Sequence, residues 1–554
     1  MSKKTNRYQR IIDDLRKNVF LSERGDNFER LLKLISVSIS NIVDKQGDGP
    51  LFPVFATKTI SELITNSSIP RKYNFSHCSL LENLNLDMQR SVKVNSPYMV
   101  KNLIPQPSFI YFAAYIASAL YMGNGVTGED SGEALKSELS CAAAIAKMAN
   151  MDTKKASGVF TFSGTATNFY AIKIGLAKAC PDHMLNGIEL NNVVVVGNNA
   201  SHYSQQTATN WLGIGQKNYK QVSTNPDQTT NLEDLEAKCI ELLKKGKKIA
   251  CIEAVGGTTS HQAIDDIRAF VLIRDKLIKK FKLNYVPHIH VDSVQGWVWL
   301  NFAGYDFKVN PLEFNEVVLH KAQMKYEKIS SLYLADSFGV DFHKTGYTPY
   351  NSSMFILKNK NDFNLLKRQK DIMTPLFHDD QEYNPGVYTL ETSRSCANIL
   401  ATWITLRSFG QEGYQVMLGH ALKMRELFVG AQKRFNEVGI VIEHPSLAAV
   451  DVYIRCIKTG KDVIEEHTKE LDDDKIVAKN SKYTDEFFEY FNNEFQDSSS
   501  KVAISRSSAS FYNNNGTKIV ALRLYLLSLN NTEETIEHII SFLIKAKRRF
   551  DKIP

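Results

Sequence analysis

A chain of 554 residues is too long for one hydrophobic core and calls for two or three domains. With 43% apolar and 23% charged residues the composition is ordinary globular, which excludes the disordered and fibrous classes. The formal charge of +7 is mild and not gathered into a basic tract, so no nucleic-acid partner is expected.

The N-terminus, MSKKTNRYQRIIDDLRKN, is basic but lacks the apolar core of a secretory signal. Up to about residue 95 the chain reads as helical segments joined by polar loops, with DNFERLLKLISVSISNIVD amphipathic. The most apolar stretch runs from Pro107 to Met122 and is too short for a comfortable membrane span. It is expected to be a buried core or subunit-interface helix, with no membrane partner.

From about 130 to 360 short β-branched runs (VVVVG at 193–197, KIACIEAV at 248–255, HIHVD at 288–292, MFILK at 354–358) alternate with helical stretches such as LEDLEAKCIELLKKG and IRAFVLIRDKLIKKF. Such alternation predicts an α/β architecture with a largely parallel sheet covered on both faces, whose ligands bind beyond the carboxyl ends of the strands. From about 400 a long helix leads into the charge-dense EEHTKELDDDKIVAKNSKYTDE, expected to be a solvated helix or insertion, then KIVALRLYLLSL and a final amphipathic helix. The expected division is a helical segment at 1–95, a large domain at 96–400 and a small α+β domain at 401–554. Seven scattered cysteines without a C-x-x-C pair argue against a disulfide framework and a zinc site, and suit the cytoplasm; no metal is expected.

The residues just after each apolar run carry the chemistry. SGTATN, Ser163 to Asn168, is a small-residue turn between a strand and a helix. It either caps the helix or binds a phosphate on its free N–H groups and on the Ser163 and Thr165 hydroxyls. His202 follows VVVVG and is either structural or stacked on an aromatic cofactor ring. Asp292 ends HIHVD, where a buried carboxylate needs a cation or a donor. A protonated pyridine nitrogen is one such partner, and a helix N-cap is the other reading. His343 and Lys344 lie in a loop between two apolar strands, where a partly desolvated lysine can form an imine with an aldehyde.

In order along the chain, GVFTFSGTATN, NNASHYS, IEAVGGTTSHQAIDDI, HIHVDSVQG and ADSFGVDFHKTGYTPY resemble the motifs of the group II amino-acid decarboxylases that depend on pyridoxal 5′-phosphate (PLP), the relatives of glutamate and aromatic-amino-acid decarboxylases. The resemblance runs from about Ser96 to the C-terminus and is most specific over 158–400. It implies the fold type I (aspartate aminotransferase-like) architecture, a homodimer, and loss of the α-carboxylate of an L-amino acid as CO2. By the same resemblance, Lys344 would carry PLP as a Schiff base with His343 beside it. Asp292 would pair with the pyridine nitrogen, and His202 would stack on the ring. Ser163, Gly164 and Thr165 would hold the phosphate, and Thr258 would lie near the cofactor. Arg523 and Arg394 could each face a substrate carboxylate, so an acidic amino acid is slightly favoured over an aromatic one.

Two departures stand out. Ser163 replaces a glycine that the family often has in the phosphate turn. Where many relatives carry a tyrosine that protonates Cα, IMTPLFHDDQEYN brings Pro375 near the position, with Tyr383 or Tyr388 as substitutes. Decarboxylation coupled to oxidation to an aldehyde therefore stays open. So does a carbon–carbon lyase acting on a phosphorylated amino alcohol, whose segment HKTGYTPY resembles. A scaffold without activity is the non-enzyme alternative, against which the joint retention of Lys344, Asp292 and His202 argues.

Overall fold

The computed structural model describes residues 6–44, 51, 57–88, 91–189, 191–368, 383–458, 462–495 and 502–553. The chain divides into two compact units, Met1–Met99 with Phe488–Ala503, and Val100–Phe487 with Ile504–Pro554. The first unit holds the amphipathic helix Phe28–Asp44 and the helix His77–Met88. At the start of that second helix His77 Nε2 lies 2.9 Å from Asp14 Oδ2, which also accepts from the Tyr73 hydroxyl at 2.6 Å.

The second unit is built on a seven-stranded sheet and a four-stranded sheet. The larger sheet comprises β1 (Ser157–Thr161), β2 (Val193–Asn198), β3 (Tyr219–Val222), β4 (Lys248–Val255), β5 (His288–Asp292), β6 (Ser337–Asp341) and β7 (Ser353–Leu357). Its order is β1-β7-β6-β5-β4-β2-β3. All pairings from β3 to β6 are parallel, and β7 runs antiparallel to both its neighbours. The strand MFILK is therefore the one that departs from the parallel pattern. It can, because the loop carrying Lys344 returns the chain directly from β6 to β7 without a crossover helix.

Strand periodicity sorts the side chains. On β2, Val194 and Val196 enter the main apolar core, whereas Val193 and Val195 pack with Ile172 and Leu176 on the opposite face. The helix Gly164–Ala179 covers that opposite face, close enough that a Cβ on Gly175 would run into the Ala250 carbonyl on β4. Glycine is required there by close approach rather than by backbone angle.

The smaller sheet contains β8 (Ile440–Glu443), β9 (Asp451–Cys456), β10 (Ser505–Tyr512) and β11 (Lys518–Tyr525), in the antiparallel order β10-β11-β9-β8. With the helix Glu533–Phe550 it forms the α+β part expected from the sequence. The apolar stretch at 107–122 forms the helix Phe109–Ala119, of which Tyr111 alone is buried. Phe109 is 92% exposed, so this is no core helix. Among the described residues no helix is long and apolar enough to cross a membrane. The charge-dense stretch is helical but not wholly solvated, since Glu466 and Glu470 are buried.

Candidate active site

Because β2, β4, β5 and β6 run parallel, the segments leaving their carboxyl ends meet at one edge of the sheet. There His202, Val255, Gly257, Thr258, Thr259, Asp292, Val294, Gln295 and Lys344 line a cavity. A wider groove lined by Thr230, Asp265, Arg268 and Glu327 holds none of the residues singled out from the sequence, so size and chemistry do not coincide.

Asp292, the last residue of β5, is 6% exposed. Its Oδ2 accepts from Asn168 Nδ2 at 3.1 Å, while its Oδ1 is buried with no hydrogen-bond partner among the described residues. Leaving a buried carboxylate oxygen unmatched is unfavourable by one to several kcal/mol, roughly, so it marks a place for a donor that the described residues do not supply.

Lys344 Nζ lies 2.9 Å from Asp341 Oδ2. Burial alone would depress this ammonium, but the Asp341 carboxylate, with Asp292 and Tyr350 beyond it, outweighs burial and raises it. Asp341 ends β6 and is almost fully enclosed, its Oδ1 accepting from Ser353 Oγ at 2.6 Å. His202 is held below the ordinary imidazole range by burial, against the opposing pull of Asp292. Its Nδ1 receives the Ser204 backbone N–H at 3.2 Å and lies 2.7 Å from Ser204 Oγ.

The SGTATN turn abuts the same residues. A Cβ on Gly164 would come within 2.7 Å of Asp341 Oδ2 and 3.0 Å of Val294 Cγ1, so only glycine lets the helix start here. Ser163 takes the N-cap position without making a capping bond, which leaves first-turn N–H groups for another acceptor. Ser163 and Thr165 are both partly exposed. Thr258 lines the cavity, but its Oγ1 bonds its own loop, to the Ser260 carbonyl and the Ala263 N–H. His343 does not line the cavity, but its Nε2 lies 3.5 Å from Asp341 Oδ2, with Nδ1 2.9 Å from the Ser352 carbonyl and its ring against Tyr350.

Three expected residues do not line this cavity. Arg394 is bound to Glu138 and to the carbonyls of Gly125 and Phe160, with a side chain 5% exposed. Tyr383 donates to the same Glu138 at 3.0 Å or to the Gly158 carbonyl at 3.1 Å. Arg523, on β11, reaches Ser505 Oγ through Nε at 3.2 Å and lies over the Tyr525 ring. The hydroxyl of Tyr525 in turn donates to the carbonyl of Thr259, so Arg523 stands behind a lining loop rather than in the cavity. Tyr388 stacks on Phe363, and Pro375 lies outside the described residues.

The sequence reading passed over Asp341, Asn168, Ser204 and Gln295. Asp341 carried the same signal as Asp292, a carboxylate closing an apolar strand. Asn168 was visible only as the end of a turn motif, and nothing in the sequence set Ser204 or Gln295 apart.

The mostly parallel seven-stranded sheet and the smaller antiparallel sheet give the chain the type I fold of PLP enzymes. Mouse CSAD in apo form superposes with a TM-score of 0.74 at 16% identity, covering 93% of this chain and 99% of that one. Oryza sativa TDC with PLP and tryptamine superposes with a TM-score of 0.74 at 14% identity, covering 95% and 99%. Residues 64–304 and 319–450 match the pyridoxal-dependent decarboxylase conserved domain, and the chain belongs to that family. An L-2,4-diaminobutyrate decarboxylase of Acinetobacter baumannii is 24% identical over 309 residues, 53% of this chain and 54% of the relative. An L-tyrosine decarboxylase of Enterococcus faecium is 27% identical over 243 residues, 41% and 39%. The chain thus spans about half the length of the curated relatives it matches.

Proposed function

We propose that this chain removes the α-carboxylate of an L-amino acid as CO2 and releases the amine, with PLP held at the cavity of Lys344, Asp292 and His202. The observation that carries the reading is the unpartnered, buried Oδ1 of Asp292 in a cavity that also holds a lysine and a histidine. A protonated ring nitrogen is the donor that oxygen lacks, so the residues fit the cofactor of the family. Lys344 would hold it covalently through Nζ, His202 would lie on its face, and the Ser163-Gly164-Thr165 turn would take its phosphate on free N–H groups. Bound there, PLP supplies an electron sink for the charge left on Cα when CO2 departs.

The protein's own part is preparation and orientation. Lys344 must lose a proton before Nζ becomes a nucleophile; until then Asp341 Oδ2, at 2.9 Å, holds the ammonium and orients Nζ in the cavity. Asp341 itself keeps its place through Ser353 Oγ. We assign Arg394 a structural role, because its guanidinium is bound to Glu138 and to the carbonyls of Gly125 and Phe160. Arg523, tied through Tyr525 to the loop of Thr258 and Thr259, stands outside the cavity as Arg394 does, so neither arginine carries the preference for an acidic side chain expected from the sequence. A homodimer is supported by the exposed apolar side chains of Phe109, Phe112, Tyr115 and Tyr121, together with Tyr203 and Tyr350 near the cavity. The unpaired state of all seven cysteines supports the cytoplasm.

The deciding experiment is CO2 release by PLP-loaded protein from a panel of L-amino acids, with Lys344→Ala as control. Release from one amino acid, absent in the control, is the expected result; none from any of them overturns the reading. A second reading rests on Tyr383 and Tyr388, neither of which lines the cavity to protonate Cα. In it, loss of CO2 is followed by two-electron oxidation by O2, which leaves as peroxide, and by hydrolysis of the C=N bond with one water to aldehyde and ammonia. Peroxide produced in step with CO2 would select it, and amine alone would dismiss it.

A further inference from the structure

On β5, His288, His290 and Asp292 alternate with Ile289 and Val291, so the three polar side chains share the face covered by the helix Gly164–Ala179. A polar stripe about 13 Å long on a buried sheet face is tolerated only if every group is bonded. Apart from Asp292 Oδ1, the oxygen that faces the cavity, the groups of this stripe are bonded in one continuous line. Lys178 Nζ, paired with Asp362 Oδ2 at 2.5 Å, lies 3.3 Å from His288 Nδ1. His288 Nε2 is 2.7 Å from Ser337 Oγ, which is 2.8 Å from His290 Nδ1. His290 Nε2 is 3.1 Å from Asn168 Oδ1. Asn168 Nδ2 then meets Asp292 Oδ2 at 3.1 Å and Ser204 Oγ at 3.0 Å, and Ser204 Oγ meets His202 Nδ1 at 2.7 Å. Asn168, His288, His290 and Ser337 are all completely buried.

The polarity of this line is dictated at both ends. An ammonium can only donate, so His288 accepts at Nδ1 and donates from Nε2 to Ser337. Ser337 then donates to His290 Nδ1, and His290 donates from Nε2 to the Asn168 carbonyl. That turns the Asn168 amide nitrogen toward Asp292, whose carboxylate can only accept. At the far end the Ser204 backbone N–H independently makes His202 Nδ1 an acceptor. The reverse polarity would set the Asn168 oxygen against the Asp292 carboxylate. Burial keeps both inner imidazoles neutral, as the line requires: His290 is pushed down to about 3 and His288 well below its ordinary value. Asp336, 3.9 Å from His288, is itself held by Arg274 and the Ile289 N–H.

We infer that Lys178, His288, Ser337, His290 and Asn168 are positioning residues, a one-way hydrogen-bond relay that sets the Asp292 carboxylate and the His202 tautomer for the cofactor. The inference rests on the reading that Asp292 and His202 contact PLP. It makes Lys178, at the opposite end of the strand, a determinant of how tightly and in what electronic state PLP is held. The other ionisable groups facing Asp292 are Glu253 on β4, held neutral by burial and by Asp292 itself, Tyr219 on β3, and Lys344 with Asp341.

The test is the absorption spectrum and equilibrium affinity of PLP in Asn168→Asp, Lys178→Met and Lys178→Arg proteins, beside Asp292→Asn and Lys344→Ala, with thermal melts to confirm folding. Asn168→Asp sets a second carboxylate against Asp292 and is expected to weaken PLP binding about tenfold and redistribute its absorption bands, the effect of one charge-assisted hydrogen bond. Lys178→Met should move the bands in the same direction by less, and Lys178→Arg should restore them. Wild-type spectra and affinity in folded Asn168→Asp and Lys178→Met, while Asp292→Asn is altered, would overturn the relay. Wild-type behaviour of Asp292→Asn and Lys344→Ala would instead overturn the cofactor reading beneath it. Should Asn168→Asp not fold, the Lys178 pair decides, since that side chain is at the edge and partly exposed.

Discussion

Two buried pairs of cation and carboxylate, both in the larger unit, make an instructive contrast. In Arg394–Glu138 the side chains are 5% and 0% exposed, and Glu138 also accepts from the Phe160 N–H at 2.6 Å and from Tyr383 at 3.0 Å. Both Glu138 oxygens and both terminal guanidinium nitrogens have partners there, and Glu138 overrides the effect of burial to raise Arg394. In Lys344–Asp341 the lysine keeps 22% of its side chain exposed, and beside it stands a carboxylate oxygen on Asp292 that none of the described residues satisfies. A saturated buried pair ties segments together; a pair next to an unmatched acceptor leaves work for a ligand. Charge burial alone does not tell the two apart. Counting partners does.

The contrast can be broken in several ways. The largest effect is expected from Lys344→Ala, which should abolish CO2 release while leaving the melting temperature within a few degrees, as activity and melting curves would show. Arg394→Met should do the opposite. Removing one partner of a buried pair leaves Glu138 uncompensated, at about 3–5 kcal/mol of stability in urea melts, with the absorbance of bound PLP unchanged in the folded fraction. Should Arg394→Met instead spare stability and lose activity, the assignment of the two pairs is inverted. Asp292→Asn sharpens the comparison: PLP affinity should drop about tenfold or more, while the apo protein melts no lower than wild type, because the lost charge had an unmatched oxygen.

The smallest effect concerns His261, buried with neither ring nitrogen bonded among Tyr453, His444 and Phe511. Burial, and then His444, Lys325 and Arg425, push it down to about 3. Unfolded, the same imidazole takes up a proton near pH 6.5, so between those values the unfolded chain binds the extra proton. Its contribution is therefore fully present above about 6.5 and lost as the pH falls towards 3, at roughly 1.4 kcal/mol per pH unit. His261→Phe should flatten the acid side of the stability curve by one proton, read from urea melts across that range. An unchanged slope would show that His261 finds a partner in the folded protein.

Much of the architecture was legible in the sequence because a parallel strand buried on both faces writes itself as a continuous apolar run. KIACIEAV and HIHVD are strands with the bounds read from the sequence, and Asp292, His202, Thr258 and Lys344 do line one cavity. Strand direction was not legible, since the run MFILK looks the same parallel or antiparallel. Nor was the fate of the long polar side chains. The sequence offers Arg394 to a substrate carboxylate and Tyr383 as a proton donor to Cα, and only packing shows that both converge on Glu138, more than two hundred residues earlier in the chain.

By itself the sequence determined the α/β alternation, the order of the motifs and the identity of the strand-end residues, because these depend on local periodicity and on residue type at element boundaries. Tertiary structure alone decided which charges are matched and which are left open. Hydrogen-bond saturation depends on partners distant along the chain, as Asn168 with Asp292 and His290, or Lys178 with Asp362 and His288, make plain. The motif HIHVD held a polar stripe in plain view, but its meaning waited on the helix that covers it.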